Sequence, residues 1–439
     1  MNYFSFKRIP QIYATFFLIF ILGNSSCKPI NKNLISFGDD DEITTITTDD
    51  ESKLLEAIEI QNESGGTIYI DTPIINIVKE NSLTLSGKLP GGIIGIRQQN
   101  GEYPILHFVD SRRQLLYAGI NIYGSNKFIE YMIIENSSNY GINVFGNSNI
   151  FDHVISRYNY GSGFFVFGDF NTFNYCYSYR NCDANIYSVN ADGFQILGEL
   201  NNLFNYYFAW DNCNSGFNYV RIFNSSELSY LHSGSWNNGN INVFTGKYDY
   251  DNASPLDKNL WTIQEMMESD PNFATNYYNK KYSINEAHIS DMTAQTWISK
   301  ISPKMDGNGF TFGNRNSSQS IDVKRNSYFN VAFDHKNGGF IDNFNHKYNA
   351  FVTDCVSFNN GINYNLPYTF SKWSNNWSWG SKNKDKLNGG VTAKTPNTKI
   401  KNTAQKSLYS VRDQIIRSVT ANIFPDGINF DKAISTLNL

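Results

Sequence analysis

Three short phrases hold most of the side chains whose types and spacing could do chemistry. They are Asn190-Ala191-Asp192-Gly193-Phe194, Asn212-Cys213-Asn214-Ser215-Gly216-Phe217-Asn218 and Asp306-Gly307-Asn308-Gly309-Phe310. Each gathers polar groups around a turn glycine and then enters an apolar strand. Gln195, Asn218 and Thr311 each stand two residues after such a glycine. They are therefore expected on one face, above Asp192, Ser215 and Asn308, as a polar and uncharged stripe. Asp192, Asp306, Asp334 and Asp342 could supply the paired acids of glycoside hydrolysis, although aspartate is also a common turn residue. His153 and His232 fall inside repeated strands and are expected to be structural. The sequence has no HxH or HExxH, no nucleophile elbow, no phosphate-binding loop and no cysteine pair at zinc spacing.

The elements that must position these groups are announced by a repeat. Turn glycines recur at Gly141, Gly163, Gly193, Gly216 and Gly239, at intervals of 22, 30, 23 and 23 residues, and return at Gly309, Gly339 and Gly361. Between them Asn149-Ile150-Phe151, Asn171-Thr172-Phe173 and Asn202-Leu203-Phe204 superpose directly, and Asn136, Asn181, Asn212 and Asn360 close equivalent short strands. A coil of about 22 residues accommodates three short strands, each stacked about 4.8 Å from its counterpart in the next coil. Apolar residues alternate inward, and the recurrent asparagines predict an internal amide ladder. The fold expected is all-β, a right-handed parallel β-helix. Because Cys182 and Cys213 each follow a ladder asparagine, they are expected about one strand spacing apart, close enough for a disulfide or for two stacked thiols.

The ends and the bulk composition frame this body. Lys7 and Arg8 precede an apolar run, Tyr13 to Leu22, and small residues then lead to Cys27. This predicts a signal peptide over 1–26, with Cys27 as a lipid anchor if the source is bacterial. An acidic linker is expected over 27–50, the β-helix over 51–385 and a C-terminal cap and tail over 386–439. Leu54, Leu55, Ile58 and Ile60 predict a helix plugging the first coil. The repeat breaks at about 245–300, where a projecting insertion is expected. A net charge of −4 with 17% charged residues argues against a nucleic-acid partner and offers no basic membrane face. A secreted, monomeric protein with no membrane span is expected.

The three phrases, with Ser357-Phe358-Asn359-Asn360-Gly361-Ile362-Asn363-Tyr364, resemble polysaccharide lyase family 9 in order and spacing from about Gly65 to Tyr364. That family comprises pectate and rhamnogalacturonan lyases built on a right-handed parallel β-helix. The resemblance implies an acidic polysaccharide as partner, calcium as cofactor and β-elimination, in which a lysine removes the C5 proton of a uronate. Carried over residue by residue, Asp192 keeps its calcium position. The other aspartate positions hold Asn214, Ser215 and Asn218, and the lysine position holds Thr311. One carboxylate makes a weak calcium site, and a threonine hydroxyl is too weak a base. Three readings stay open. Elimination could use Lys304 as base with Arg221 polarising a carboxylate. Paired aspartates could hydrolyse. Or the groove could bind glycan without cleaving it, with Tyr219, Phe217 and Trp236 stacking on sugars. The stripe of Gln195, Asn218 and Thr311 suits a neutral sugar better than a uronate–calcium pair.

Overall fold

The computed structural model describes residues 43–387 except 79–81, 109–117, 138, 160, 182–190, 198–200, 220–226, 241–305, 313–323, 343–348, 368–369 and 375. The signal peptide, Cys27, the insertion, Cys182, Arg221, Lys304 and the chain beyond 387 therefore lie outside the described residues. Among the described residues no helix is long and apolar enough to cross a membrane.

The chain winds as a right-handed parallel β-helix, the hand that parallel crossovers adopt. Every strand pairs parallel with its counterpart one coil on. The third face of the helix is a 10-stranded sheet running from Leu83–Leu85 to Lys386–Leu387, one strand per coil. The other two faces are joined at a bend. In the fourth coil a single bent strand, Ile150–Arg157, serves both: Ile150 to Asp152 pair with Thr172 to Asn174, and Ile155 to Arg157 with Tyr177 to Tyr179. The expected superposition of the Asn149, Asn171 and Asn202 phrases is observed, since Ile150 pairs with Thr172 and Thr172 with Leu203.

The bend recurs at residues held in the left-handed region, Tyr131, His153, Tyr175, Tyr206, His232 and Phe329, with φ between 50° and 57°. Such a conformation costs a non-glycine residue about 1 kcal/mol. Stacking offsets it: the six rings form one column with centroids 4.8 to 5.2 Å apart. His153 and His232 are thus members of a structural stack. Inside, Phe151, Phe173 and Phe204 make a second column, and Phe164, Phe194, Phe217, Phe310, Phe340 and Tyr364 a third, all fully buried.

Buried amides close the next corner. Asn159 Nδ2 donates to Asn181 Oδ1 at 2.9 Å, Asn181 to Asn212 at 2.9 Å, and Asn212 to Asn238 at 3.1 Å. Each Oδ1 also accepts the backbone N–H of the preceding member. This satisfies donors that the turn would otherwise bury unpaired.

The helix Glu51–Ser64 covers the first coil, with Leu54, Ala57 and Ile58 buried. Asp50 caps its start by accepting from Lys53 N, and Gly65 closes it at φ 81°. The strand Ile43–Ile46 lies within the stretch expected to be a solvated linker, yet it pairs with Gly66–Ile70. Its Ile43 and Ile46 give the end coil a partner edge, which a linker would leave open. Cys213 is disulfide-bonded, while Cys176 and Cys355 are free and buried.

Candidate functional site

The third face brings the chemical phrases together as the spacing predicts. Phe194, Phe217 and Phe310 point inward in register, and Gln195, Asn218 and Thr311 form the adjoining outward column. Asp192 lies just before this column, with no solvent exposure. Three donors converge on its carboxylate. Asn214 Nδ2 (2.7 Å) and Ser215 N (2.9 Å) reach Oδ1, and Asn218 Nδ2 (2.9 Å) reaches Oδ2.

Both amides are fixed from their other ends as well. Asn214 Oδ1 accepts the Asp306 N–H at 3.2 Å, and Asn218 Oδ1 accepts the Thr311 hydroxyl at 2.9 Å. Thr311 Oγ1 in turn accepts the Tyr219 N–H at 3.1 Å. Rotating the Asn214 amide would set N–H against the Asp306 N–H, and rotating that of Asn218 would set its oxygen against the Asp192 carboxylate, so the NH2 groups face the carboxylate. Burial pushes the Asp192 carboxyl up to about 7, against the lowering pull of these hydrogen bonds.

This donor set does not fit calcium. A calcium ion takes six to eight oxygens, several of them charged. Here Asp192 and Asp306 are the carboxylates in range, and the amide oxygens beside Asp192 are already accepting hydrogen bonds from the chain. The amide nitrogens occupy the directions from which a cation would approach.

Exposure separates the expected groove residues further. Asn218 is half-buried, whereas Gln195, Asn214, Ser215, Asn308 and Thr311 are buried. Gln195 Oε1 accepts from Ser162 Oγ at 3.4 Å. The stripe therefore has the register foreseen but is not an open groove at Gln195 or Thr311. Tyr219 corrects the sequence reading outright. It alternates inward with Phe217 and is fully buried, with the Arg325 guanidinium 4.1 Å from its ring centroid. Trp236 is likewise core, stacked between Trp210 and Phe333. None of these three rings can meet a sugar.

Asp306 is the exposed acid of the group. Desolvation raises its pKa, and the Lys336 ammonium pulls it back down. Burial lowers the Lys336 pKa in turn, opposed by Asp306. Sequence reasoning passed over Lys336. The available signal was its place four residues before Phe340, matching Asp306 before Phe310, and these two phenylalanines pair. Gly307, at φ 62°, lets the two turns approach: a Cβ there would lie 2.7 Å from both Asn238 O and Lys336 Cβ. Asp334 stands apart at a left-handed bend, holding the Asn359 amide at 3.3 Å, and Asp342 follows the strand Gly338–Ile341.

Residues 37–252 match the family model described as Pel9A-like, right handed beta helix region. The chain is thus a lyase-like right-handed parallel β-helix. Among solved structures it is similar to the pectate lyase Pel9A, with a TM-score of 0.52 and 18% identity over 78% of this chain and 72% of that one. A rhamnogalacturonan lyase gives a TM-score of 0.51 and 14% identity over 83% of this chain and 90% of its own. At these identities the likeness is one of fold. No curated protein matches the sequence.

Proposed function

We propose that this protein is an exported β-helix that binds polysaccharide of the pectic type and has given up calcium-dependent elimination. The lyase-like fold supports the substrate class, and the signal-like N-terminus supports export. The observation that carries the loss of elimination is the sealed hydroxyl of Thr311. A general base needs a free lone pair within reach of the proton it takes. Thr311 has no solvent exposure, accepts from Tyr219 and donates to Asn218. Asp192 beside it spends its carboxylate on three donors from its own chain.

The test incubates the protein with polygalacturonate and with rhamnogalacturonan, in calcium and in EDTA, and follows the ultraviolet absorbance of the unsaturated uronate product. Retention on the same polysaccharides is measured in parallel by affinity electrophoresis. The expected outcome is retention without product. Calcium-dependent product would overturn the proposal.

A second reading rests on Lys336, an exposed amine whose turn packs against Gly307 beside Asp306; partial desolvation lowers its pKa and Asp306 raises it. It predicts product that survives EDTA and disappears in Lys336→Ala.

A further inference from the structure

The third face carries a second surface, on coils before Asp192. Its outward column runs Asn121, Asn143, Phe165, Gln195. Beside it, Tyr123, Phe145 and Phe167 each follow their strand directly. Their backbone N–H groups bond to Leu85, Ile122 and Val144 of the preceding coil, so they too stack in register.

The rings of the two columns form one connected cluster. Tyr123 lies parallel to Phe145 at 4.9 Å and 4°, and Phe145 meets Phe167 at 5.9 Å and Phe165 at 6.4 Å. Phe165 stacks on Tyr140 at 4.4 Å. Unlike the inner columns, this cluster meets solvent. Tyr123 is 52% and Phe167 40% exposed, and the other three rings are half-buried.

The fold does not require aromatics here. One coil later the position of Phe167 is held by Leu197, whose N–H makes the same bond to Val166 O. The position of Phe165 is held by asparagine or glutamine in the flanking coils. Grouping rings on three adjacent coils is therefore a local choice, and contiguous exposed aromatics mark a binding surface more than scattered ones do.

Backbone crowding keeps the cluster shallow. Gly124, Gly146 and Gly168 follow the three rings, and a Cβ on Gly146 or Gly168 would come within 2 Å of the preceding glycine's carbonyl oxygen, at 1.8 and 1.9 Å. No side chain can rise there to cover the ring edges. In the Phe165 column the half-buried Asn143 donates through Nδ2 to Asn121 Oδ1 at 3.1 Å. Apolar ring faces beside a few oriented amides match the C–H faces and hydroxyls of a sugar. Neither column offers a cation to a carboxylate.

We infer that this cluster is a glycan-binding platform that takes an uncharged stretch of polysaccharide, and that it is the surface through which the proposed binding acts. It rests on the polysaccharide-binding reading. The three coils that carry the rings, stacked about 4.8 Å apart, give a platform roughly 10 Å long, enough for a short stretch of sugar chain.

The experiment measures affinity electrophoresis of the full chain against neutral galactan, highly methyl-esterified pectin and polygalacturonate. Wild type is compared with Tyr123→Ala/Phe167→Ala, Phe165→Ala, Phe165→Tyr and, as a control on the bend column, Phe329→Ala. Thermal midpoints verify that each variant folds. The expected result is preference for the uncharged chains, insensitive to salt. It falls at least about tenfold in the first two variants and stays unchanged in Phe165→Tyr and Phe329→Ala. Binding that persists in both platform variants overturns this inference and leaves the wider proposal standing. Binding confined to polygalacturonate and weakened by salt also overturns it. No binding of wild type to any chain overturns both.

Discussion

The asparagine ladder and the Asp192 cluster are made of the same material, carboxamides buried against backbone, and they lie in the same coils. Asn159, Asn181 and Asn212 each donate both the backbone N–H and Nδ2 to the Oδ1 of the next coil's asparagine, so these rungs are equivalent, and the ladder changes at Asn238, whose N–H meets His335 Nδ1. Asn214 and Asn218 instead converge on a single carboxylate and are pinned by Asp306 and Thr311. The ladder repeats because each coil has the same corner to satisfy. The cluster occurs once, so corner geometry does not explain it. Where the resemblance to the lyases leads one to expect a cation, amide N–H groups meet the carboxylate.

Among substitutions, breaking the ladder has the largest expected effect. Asn212→Leu removes the acceptor of Asn181 N and Nδ2 and the donor to Asn238 Oδ1 and Ser178 O. Asn181 Nδ2 keeps Ser178 Oγ and Asn238 Oδ1 keeps the backbone N–H of residue 212, so the Asn181 N–H is the donor stranded. With a buried unmatched group costing about 1 to 3 kcal/mol, a loss of roughly 3 kcal/mol is expected in urea unfolding. A loss under about 1 kcal/mol would mean that the ladder is ornament and the aromatic columns alone set the corner.

That contrast also explains what the sequence disclosed. Register, the ladder and the inward phenylalanines were legible because they repeat, and repetition converts spacing into contact. The closeness of Asp192, Asn214, Asn218 and Thr311 was legible for the same reason. Exposure was not. Whether Thr311 opens to solvent depends on what lies over it, and no period encodes that. Tyr219 was misassigned because strand alternation was not applied to it: if Asn218 points out, its neighbour points in. The platform went unread although Tyr123, Phe145 and Phe167 recur every 22 residues, each before a glycine: the period gives their register, and exposure is what no period encodes.

A pH series separates the two regions more finely. Folded Asp192 holds its proton up to about pH 7, whereas an unfolded chain releases it near 3.8. Between those values the folded state binds more protons, so its stability falls as pH rises. Below the window both states are protonated, and above it both are ionised and the loss is complete. The loss amounts to about 4 kcal/mol at most. Glu135 runs the other way. Burial works against its ionisation, but Arg157 and His107 outweigh that and bring it down to about 2. Its contribution is present above its unfolded value of 4.5 and lost as pH falls towards 2, below most of the Asp192 window. Urea midpoints of wild type should therefore decline from pH 5 to pH 7 relative to Asp192→Asn. Parallel curves would show that Asp192 ionises normally.

The smallest effect probes the seal itself. Thr311→Val keeps the shape but deprives Tyr219 N–H of its acceptor and Asn218 Oδ1 of its donor. Asn218 is half-buried and can recruit water, so only the Tyr219 N–H is stranded. The expected cost is about 1 to 2 kcal/mol, against roughly 3 for the ladder, and Thr311→Ser should recover most of it. The more telling readout is the pH series repeated in Thr311→Val. With Asn218 released, Asp192 loses one of the donors that favour its charged form. The decline with pH should then persist to a higher pH than in wild type. An unchanged pH profile would mean that Thr311 merely fills space, and the hydroxyl could no longer be counted as part of the Asp192 cluster.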